Sequence, residues 1–191
     1  MRLFLGIWPS EAATRALTAA QAELRRRLPR GLLRFTAPDQ IHLTLRFLGE
    51  IPEPEIASFV PALEEASASE SPFPLALAPL GAFPAPERAR VVWAGAGGGV
   101  ERLHRLQARI EAVVAAFTHP EDKPFHPHFT LARVREPAGA ERREIAAALA
   151  GIRVGRIEPW LVDEFRLVRS ELRPEGAHYS VVRRIPLLTT R

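Results

Sequence analysis

The chain opens on an apolar run, residues 2–8 (Arg-Leu-Phe-Leu-Gly-Ile-Trp), of strand length and bounded by Pro9. From Ser10 through residue 28 apolar residues recur at helical spacing, and Ser10 stands where a hydroxyl caps the first turn. The same order returns in the second half, with a strand over residues 90–94 and a helix over 99–117. Each pair is followed by a short strand, a helix introduced by proline, and a closing strand. Residues 73–80 close the first half, and 160–168 with 179–186 close the second. Each half therefore predicts β-α-β-α-β. Pro61 falls inside the second helical pattern and is expected to kink or stop it. Residues 81–86 read as the junction between halves.

Alternation is clearest at Ile41-His42-Leu43-Thr44-Leu45, which recurs as Pro127-His128-Phe129-Thr130-Leu131, 128 − 42 = 86 residues later. Glu50 and Glu136 each lie eight residues past their histidine, and a proline-marked helix start follows each. The chain thus reads as a duplication, about 1–86 and 87–191, in a single domain.

In a strand, side chains alternate between faces, so His42 and Thr44 share one face about 7 Å apart while Ile41, Leu43 and Leu45 point to the core. His128 and Thr130 repeat the arrangement against Phe129 and Leu131. A duplicated fold packs its halves about an approximate two-fold axis, which directs both polar pairs toward one cleft. In-line cleavage of a phosphodiester needs a base behind the attacking oxygen and an acid behind the leaving oxygen. Two imidazoles, with ordinary pKa near 6.5, fill those roles at neutral pH without a metal. The threonine hydroxyls can donate to the non-bridging oxygens. A lone strand histidine is ordinarily structural; two equivalent His-x-Thr copies point to chemistry instead. Arg46 continues the His42/Thr44 face by alternation and is a candidate phosphate contact. Arg133 falls on the opposite face unless its strand has ended or bulged.

Composition narrows the picture. With 191 residues, 47% of them hydrophobic, the chain can bury a full core, and zero cysteines remove disulfides, thiolate nucleophiles and cysteine-based zinc sites. No apolar run is long enough to cross a bilayer and the opening stretch is too short for a signal peptide, so a soluble cytoplasmic protein is expected. Lys123 is the only lysine among 26 basic residues. The positive surface is therefore guanidinium, whose fork suits phosphate, although a net charge of +4 discriminates little by itself. The absence of asparagine and cysteine, with abundant proline, fits either a hot habitat or a GC-rich genome.

At these residues the sequence resembles the two-histidine phosphoesterase superfamily, and within it the RNA 2′,3′-cyclic phosphodiesterases also called 2′-5′ RNA ligases. The likeness covers nearly the whole chain: Arg2-Leu3-Phe4-Leu5-Gly6-Ile7 at the opening strand, residues 41–50 and 127–133 at the two motifs, and residues 167–172 through Gly176 and Tyr179 at the close. It implies an α+β fold of two pseudo-symmetric lobes, each a mostly antiparallel sheet backed by helices, with the active cleft between them. It also implies hydrolysis of an RNA 2′,3′-cyclic phosphate to a 2′-phosphomonoester, with His42 as proton donor, His128 as proton acceptor, Arg133 on phosphate, and no cofactor. Some members join RNA ends through a 2′-5′ linkage without ATP. The expected partner is an RNA end, tRNA-derived ends included, or a small cyclic-phosphate nucleotide, acted on by a monomer with no membrane partner.

Other features carry less. His126 shares the face of His128, but His119, His126 and His128 lack the spacing of a zinc site. The Gly95–Gly99 stretch fails the phosphate-loop fingerprints and reads as a flexible turn. Arg25-Arg26-Arg27 ends a helix, where cations are favourable, with RNA contact as the alternative. Trp93 and Phe125 read as core rather than base-stacking residues, and His104 and His178 take no role. Two other classes stay open: a non-catalytic RNA-end binding module, and a cyclic phosphodiesterase of small nucleotides.

Overall fold

A computed structural model describes the chain except residues 120, 122, 138, 175 and 189–191. The first half runs β1 (Arg2–Ile7), α1 (Glu11–Arg27), β2 (Leu33–Phe35), a short 3-10 turn (Pro38–Gln40), β3 (Leu43–Glu50), α2 (Glu53–Ala68) and β4 (Phe73–Phe83). The second runs β5 (Val91–Gly98), α3 (Val100–Val114), β6 (His128–Val134), α4 (Gly139–Gly151), β7 (Trp160–Val162), β8 (Glu164–Arg173) and β9 (Gly176–Pro186). Ser10 caps α1 as expected, its hydroxyl accepting from the Ala13 amide.

The strands form one antiparallel sheet in the order β7-β4-β5-β6-β3-β1-β8-β9, with β2 added on β6. The two lobes are the two ends of that order, and they are not the two halves of the sequence. The closing strand of each half pairs with the opening strand of the other: β4 with β5, and β8 with β1. Helices follow suit, with α1 packed on β6 and α3 on β3. Neither half completes its own sheet.

The lobes meet where Leu43 of β3 pairs with Phe129 of β6. These residues are also 86 apart, so each is the other's copy, and the pair lies on the pseudo-two-fold axis. Both are fully buried and face the helices. Their neighbours His42 and His128 therefore flank the axis symmetrically, on the opposite face of the sheet.

Several details differ from the sequence expectation. α2 runs unbroken through Pro61, because Pro61 and the Ala57 carbonyl it orphans are exposed to water while Phe59 and Leu63 anchor the helix in the core. The Gly95–Gly99 stretch is mostly strand, since β5 extends to Gly98. Gly97 and Gly98 pair with Ala76 and Leu75, and a Cβ on Gly99 would lie 2.4 Å from the Pro74 carbonyl oxygen. These glycines serve close backbone approach to β4. The sequence reading also contains no strand at β2, which takes the edge of β6 beyond the point where β3 departs. The expected strand 160–168 is split at Asp163 into β7 on β4 and β8 on β1, and residues 81–83 of the expected junction belong to β4. Gly99→Ala is expected to destabilise the fold by about 1–3 kcal/mol through overpacking against β4, read as a lowered midpoint in denaturant unfolding.

Candidate active site

His42 is delivered by the 3-10 turn just ahead of β3, and His128 is the first residue of β6. Each imidazole is held by the backbone two residues earlier: Nδ1 lies 2.7 Å from the Gln40 carbonyl oxygen in one and 2.6 Å from that of His126 in the other. A carbonyl only accepts, so Nδ1 carries the hydrogen and donates it, leaving the Nε2 lone pair for other chemistry. The turn that orients His42 is itself tied down. The Trp8 indole donates to the Asp39 carbonyl at 3.1 Å and the Gln40 amide to the Ala177 carbonyl at 2.6 Å.

Antiparallel register carries the pairing one step either side of Leu43 and Phe129, setting His42 toward Thr130 and Thr44 toward His128. The two histidines become diagonal neighbours, about 7–8 Å apart for that relation. The charge of His128 is felt at His42, which agrees with that neighbourhood.

The rings around the pair complete the site. Phe4 and Trp8 stack on His42 at 4.7 and 5.0 Å, and Tyr179 meets it edge-on at 5.4 Å. Gly6 makes room, since a Cβ there would approach His42 Cδ2 to 3.2 Å. On the other side the edges of Phe83 (4.9 Å) and Trp93 (6.1 Å) approach His128, and Trp93 also packs on His126. Gly81 lets the Trp93 indole lie flat on β4, because any Cβ there would fall 2.2 Å from that ring. Beside His42 opens a cavity of about 240 Å³ lined by Trp8, Gln40, Arg166, His178 and Tyr179 among others. A larger hollow of about 410 Å³ lies at the end of α1, lined by Leu24, Arg25, Leu28 and Phe35 and by neither histidine.

This enclosure governs charge. Burial pushes the His42 imidazole from 6.5 down to about 4, the Gln40 carbonyl opposes the shift, and the charge of His128 adds to it. His128 is lowered as well, first by burial, against the His126 carbonyl and with the His126 charge. The Tyr179 hydroxyl is raised by burial, against the nearby charges of Arg133 and Arg2.

Bulges separate the two arginines singled out in the sequence. On β3, Leu5 pairs with Arg46 and Gly6 with Thr44, so Leu45 is an extra residue. On β6, Val92 pairs with Ala132 and Trp93 with Thr130, so Leu131 is extra. The two bulged leucines are again 86 apart, and each reverses the phase of the strand beyond it. Arg46 therefore turns to the helix side, only 5% exposed, with Glu111 at 2.7 Å and Glu121 at 2.9 Å and further bonds to Thr118 and the His119 carbonyl. The expectation of Arg46 on phosphate does not survive this placement. Arg133 turns the other way, exposed and within electrostatic reach of Tyr179. Gln21, fully buried on α1, donates to the bulged Leu131 carbonyl at 2.9 Å and holds that distortion in place.

The structure thus brings together His42, Thr44, His128 and Thr130, adds Arg133 at the rim, and sends Arg46 elsewhere. Sequence reasoning missed Phe4, Trp8, Phe83 and Tyr179 and assigned Trp93 to the core. Alternation places Phe4 and Gly6 on one face of β1, which was the available signal for Phe4; nothing local marks Phe83. Phe125 packs against His104 rather than the histidine pair.

Two backbone-held imidazoles across a pseudo-symmetric cleft define the two-histidine phosphoesterase class. A family model for LigT-like phosphoesterases matches residues 7–93 and 97–179. An RNA 2′,3′-cyclic phosphodiesterase of Thermus thermophilus is 36% identical over 98% of this chain and 90% of its own. One of Aeropyrum pernix is 36% identical over 75% of this chain and 80% of its own. Among solved structures, a protein of Thermus thermophilus superposes with TM-score 0.79 at 35% identity, and E. coli LigT complexed with 3′-AMP with TM-score 0.77 at 26% identity, each covering 98% of both chains. The chain belongs to the LigT-like phosphoesterases of the two-histidine superfamily.

Because Arg46 neutralises two carboxylates from the core side, Arg46→Ala is expected to cost about 3 kcal/mol of stability, the low end for a broken buried pair since Glu121 is 39% exposed. Equilibrium urea unfolding measures it.

Proposed function

We propose that the protein hydrolyses RNA 2′,3′-cyclic phosphate ends to 2′-phosphomonoesters. The observation that carries this reading is the pairing of His42 and His128 about the Leu43–Phe129 axis, each with Nδ1 engaged and Nε2 left for acid or base work. The relatives' names as RNA 2′,3′-cyclic phosphodiesterases support it. His128 Nε2 takes a proton from water as the water oxygen bonds to phosphorus. The bond from phosphorus to O3′ breaks, and His42 Nε2–H protonates that oxygen. Thr44, Thr130 and Arg133 hold the non-bridging oxygens.

His42 is neutral in the resting protein at neutral pH, so it takes up its proton when the anionic phosphate enters. A low-pKa imidazolium, once formed, is a strong donor to an alkoxide. The same reaction run toward a 5′-hydroxyl in place of water gives 2′-5′ ligation without ATP. The cytoplasm, a monomeric state and tRNA-derived ends as substrates complete the proposal.

With chelator present, wild type should convert an oligonucleotide 2′,3′-cyclic phosphate to the 2′-phosphate. His42→Ala and His128→Ala should each lower turnover by about 10²-fold or more with the fold intact. Near-normal rates in either variant reject the mechanism.

Catalysis needs one imidazole charged and one neutral, and in the free protein both titrate below 6.5. The bell of kcat/KM against pH, governed by the pair as a unit, should therefore peak on the acid side of pH 6.5. That of kcat should sit higher, because bound phosphate favours the imidazolium. A kcat/KM optimum on the alkaline side of neutrality contradicts the electrostatics described above.

A further inference from the structure

β2 fills the edge of β6 that β3 leaves free, and in doing so it sets Arg34 directly opposite Arg133. Residues directly opposite in an antiparallel pair project from the same face. Burial agrees: Leu33, Phe35 and Ala132 turn inward while Arg34 and Arg133 are both exposed. Among the described residues neither guanidinium has a carboxylate partner, a condition they share with Arg30, Arg88 and Arg135, but only these two stand directly opposite each other across a strand pair. Like charges directly opposed on a sheet are destabilising.

The backbone nevertheless fixes this pair firmly. Thr36 donates to the Leu131 carbonyl at 2.9 Å, Arg135 donates to that of Leu32 at 2.9 Å, and Gln21 bridges the Thr36 and Leu131 carbonyls. Two unpaired guanidinium forks directly opposed on a firmly held backbone make a site for an anion with several oxygens. The reacting phosphate lies between the histidines with Arg133 at its rim, so an anion that also engages Arg34 is a second one.

Resting on the phosphodiesterase reading, we infer that Arg34 and Arg133 together hold the internucleotide phosphate next to the terminal nucleotide. The substrate class is accordingly an RNA strand rather than a lone cyclic mononucleotide. Arg133 stands between the two phosphates, near Tyr179 on one side and paired with Arg34 on the other. Arg34 serves the strand alone.

The test compares kcat/KM for a cyclic mononucleotide, a dinucleotide ending in a 2′,3′-cyclic phosphate, and the same dinucleotide with a neutral methylphosphonate link. Wild type should prefer the charged dinucleotide by about 10- to 100-fold, the equivalent of one charge-assisted contact. The methylphosphonate should lose most of that preference, with the change mainly in KM. Arg34→Ala should collapse the dinucleotide-to-mononucleotide ratio toward one, and Arg34→Lys should restore part of it. Equal use of charged and neutral links by wild type overturns the second-phosphate site, as does an unchanged ratio in Arg34→Ala. No turnover of any of the three by wild type overturns the phosphodiesterase reading itself, and this site with it.

Discussion

The cleft depends on one antiparallel contact between two residues that are copies of each other. An antiparallel pair has its own local two-fold axis, and Leu43 and Phe129 sit on it. Every feature at a fixed offset along one strand is then matched on the other: histidine one residue before, threonine one after, bulged leucine two after. Duplication of sequence alone would not bring the copies face to face. The exchange of closing strands does so, because β8 on β1 and β4 on β5 leave each lobe unfinished without the other half.

Symmetry of backbone does not extend to side chains. The same bulge that buries Arg46 in an acidic clamp buries Ala132 at the equivalent place, and the same reversal that exposes Phe47 exposes Arg133. At these equivalent positions one strand thus exposes an aromatic ring and the other a guanidinium. The imidazoles differ too, His42 enclosed by Phe4, Trp8 and Tyr179, His128 beside the second histidine His126. Each ring is backed by a neutral carbonyl rather than a carboxylate, so burial is left as the largest influence on its charge.

Much of this was legible in the chain. Period-two alternation around His42 and His128, recurring at a fixed interval, located the two histidines that the structure sets about the Leu43–Phe129 contact, and their face of the sheet. Helix and strand order followed from the same periodicities, apart from β2 and β7, each of three residues and too short to show a period, so that β7 was read as one strand with β8. What alternation could not reveal was where it breaks. A bulge inserts one residue without any mark in composition, so Arg46 was carried to the wrong face, while Arg133 stayed ambiguous until the pairing was known. Pro61 and the Gly95–Gly99 stretch misled for a related reason: local propensity described the isolated segment, and packing against α3 and β4 decided its form. Partner choice between strands is likewise tertiary, and a reading by halves could not anticipate the exchange.

That exchange also bears on how the chain matures during synthesis. β1 leaves the ribosome long before β8 and can gain that neighbour only once residues 164–173 have been made. Closure over so long a separation is slow compared with local hairpins. Meanwhile β1 presents an open edge to any other nascent copy. Translation through β8 must precede assembly of the lobe that contains β1.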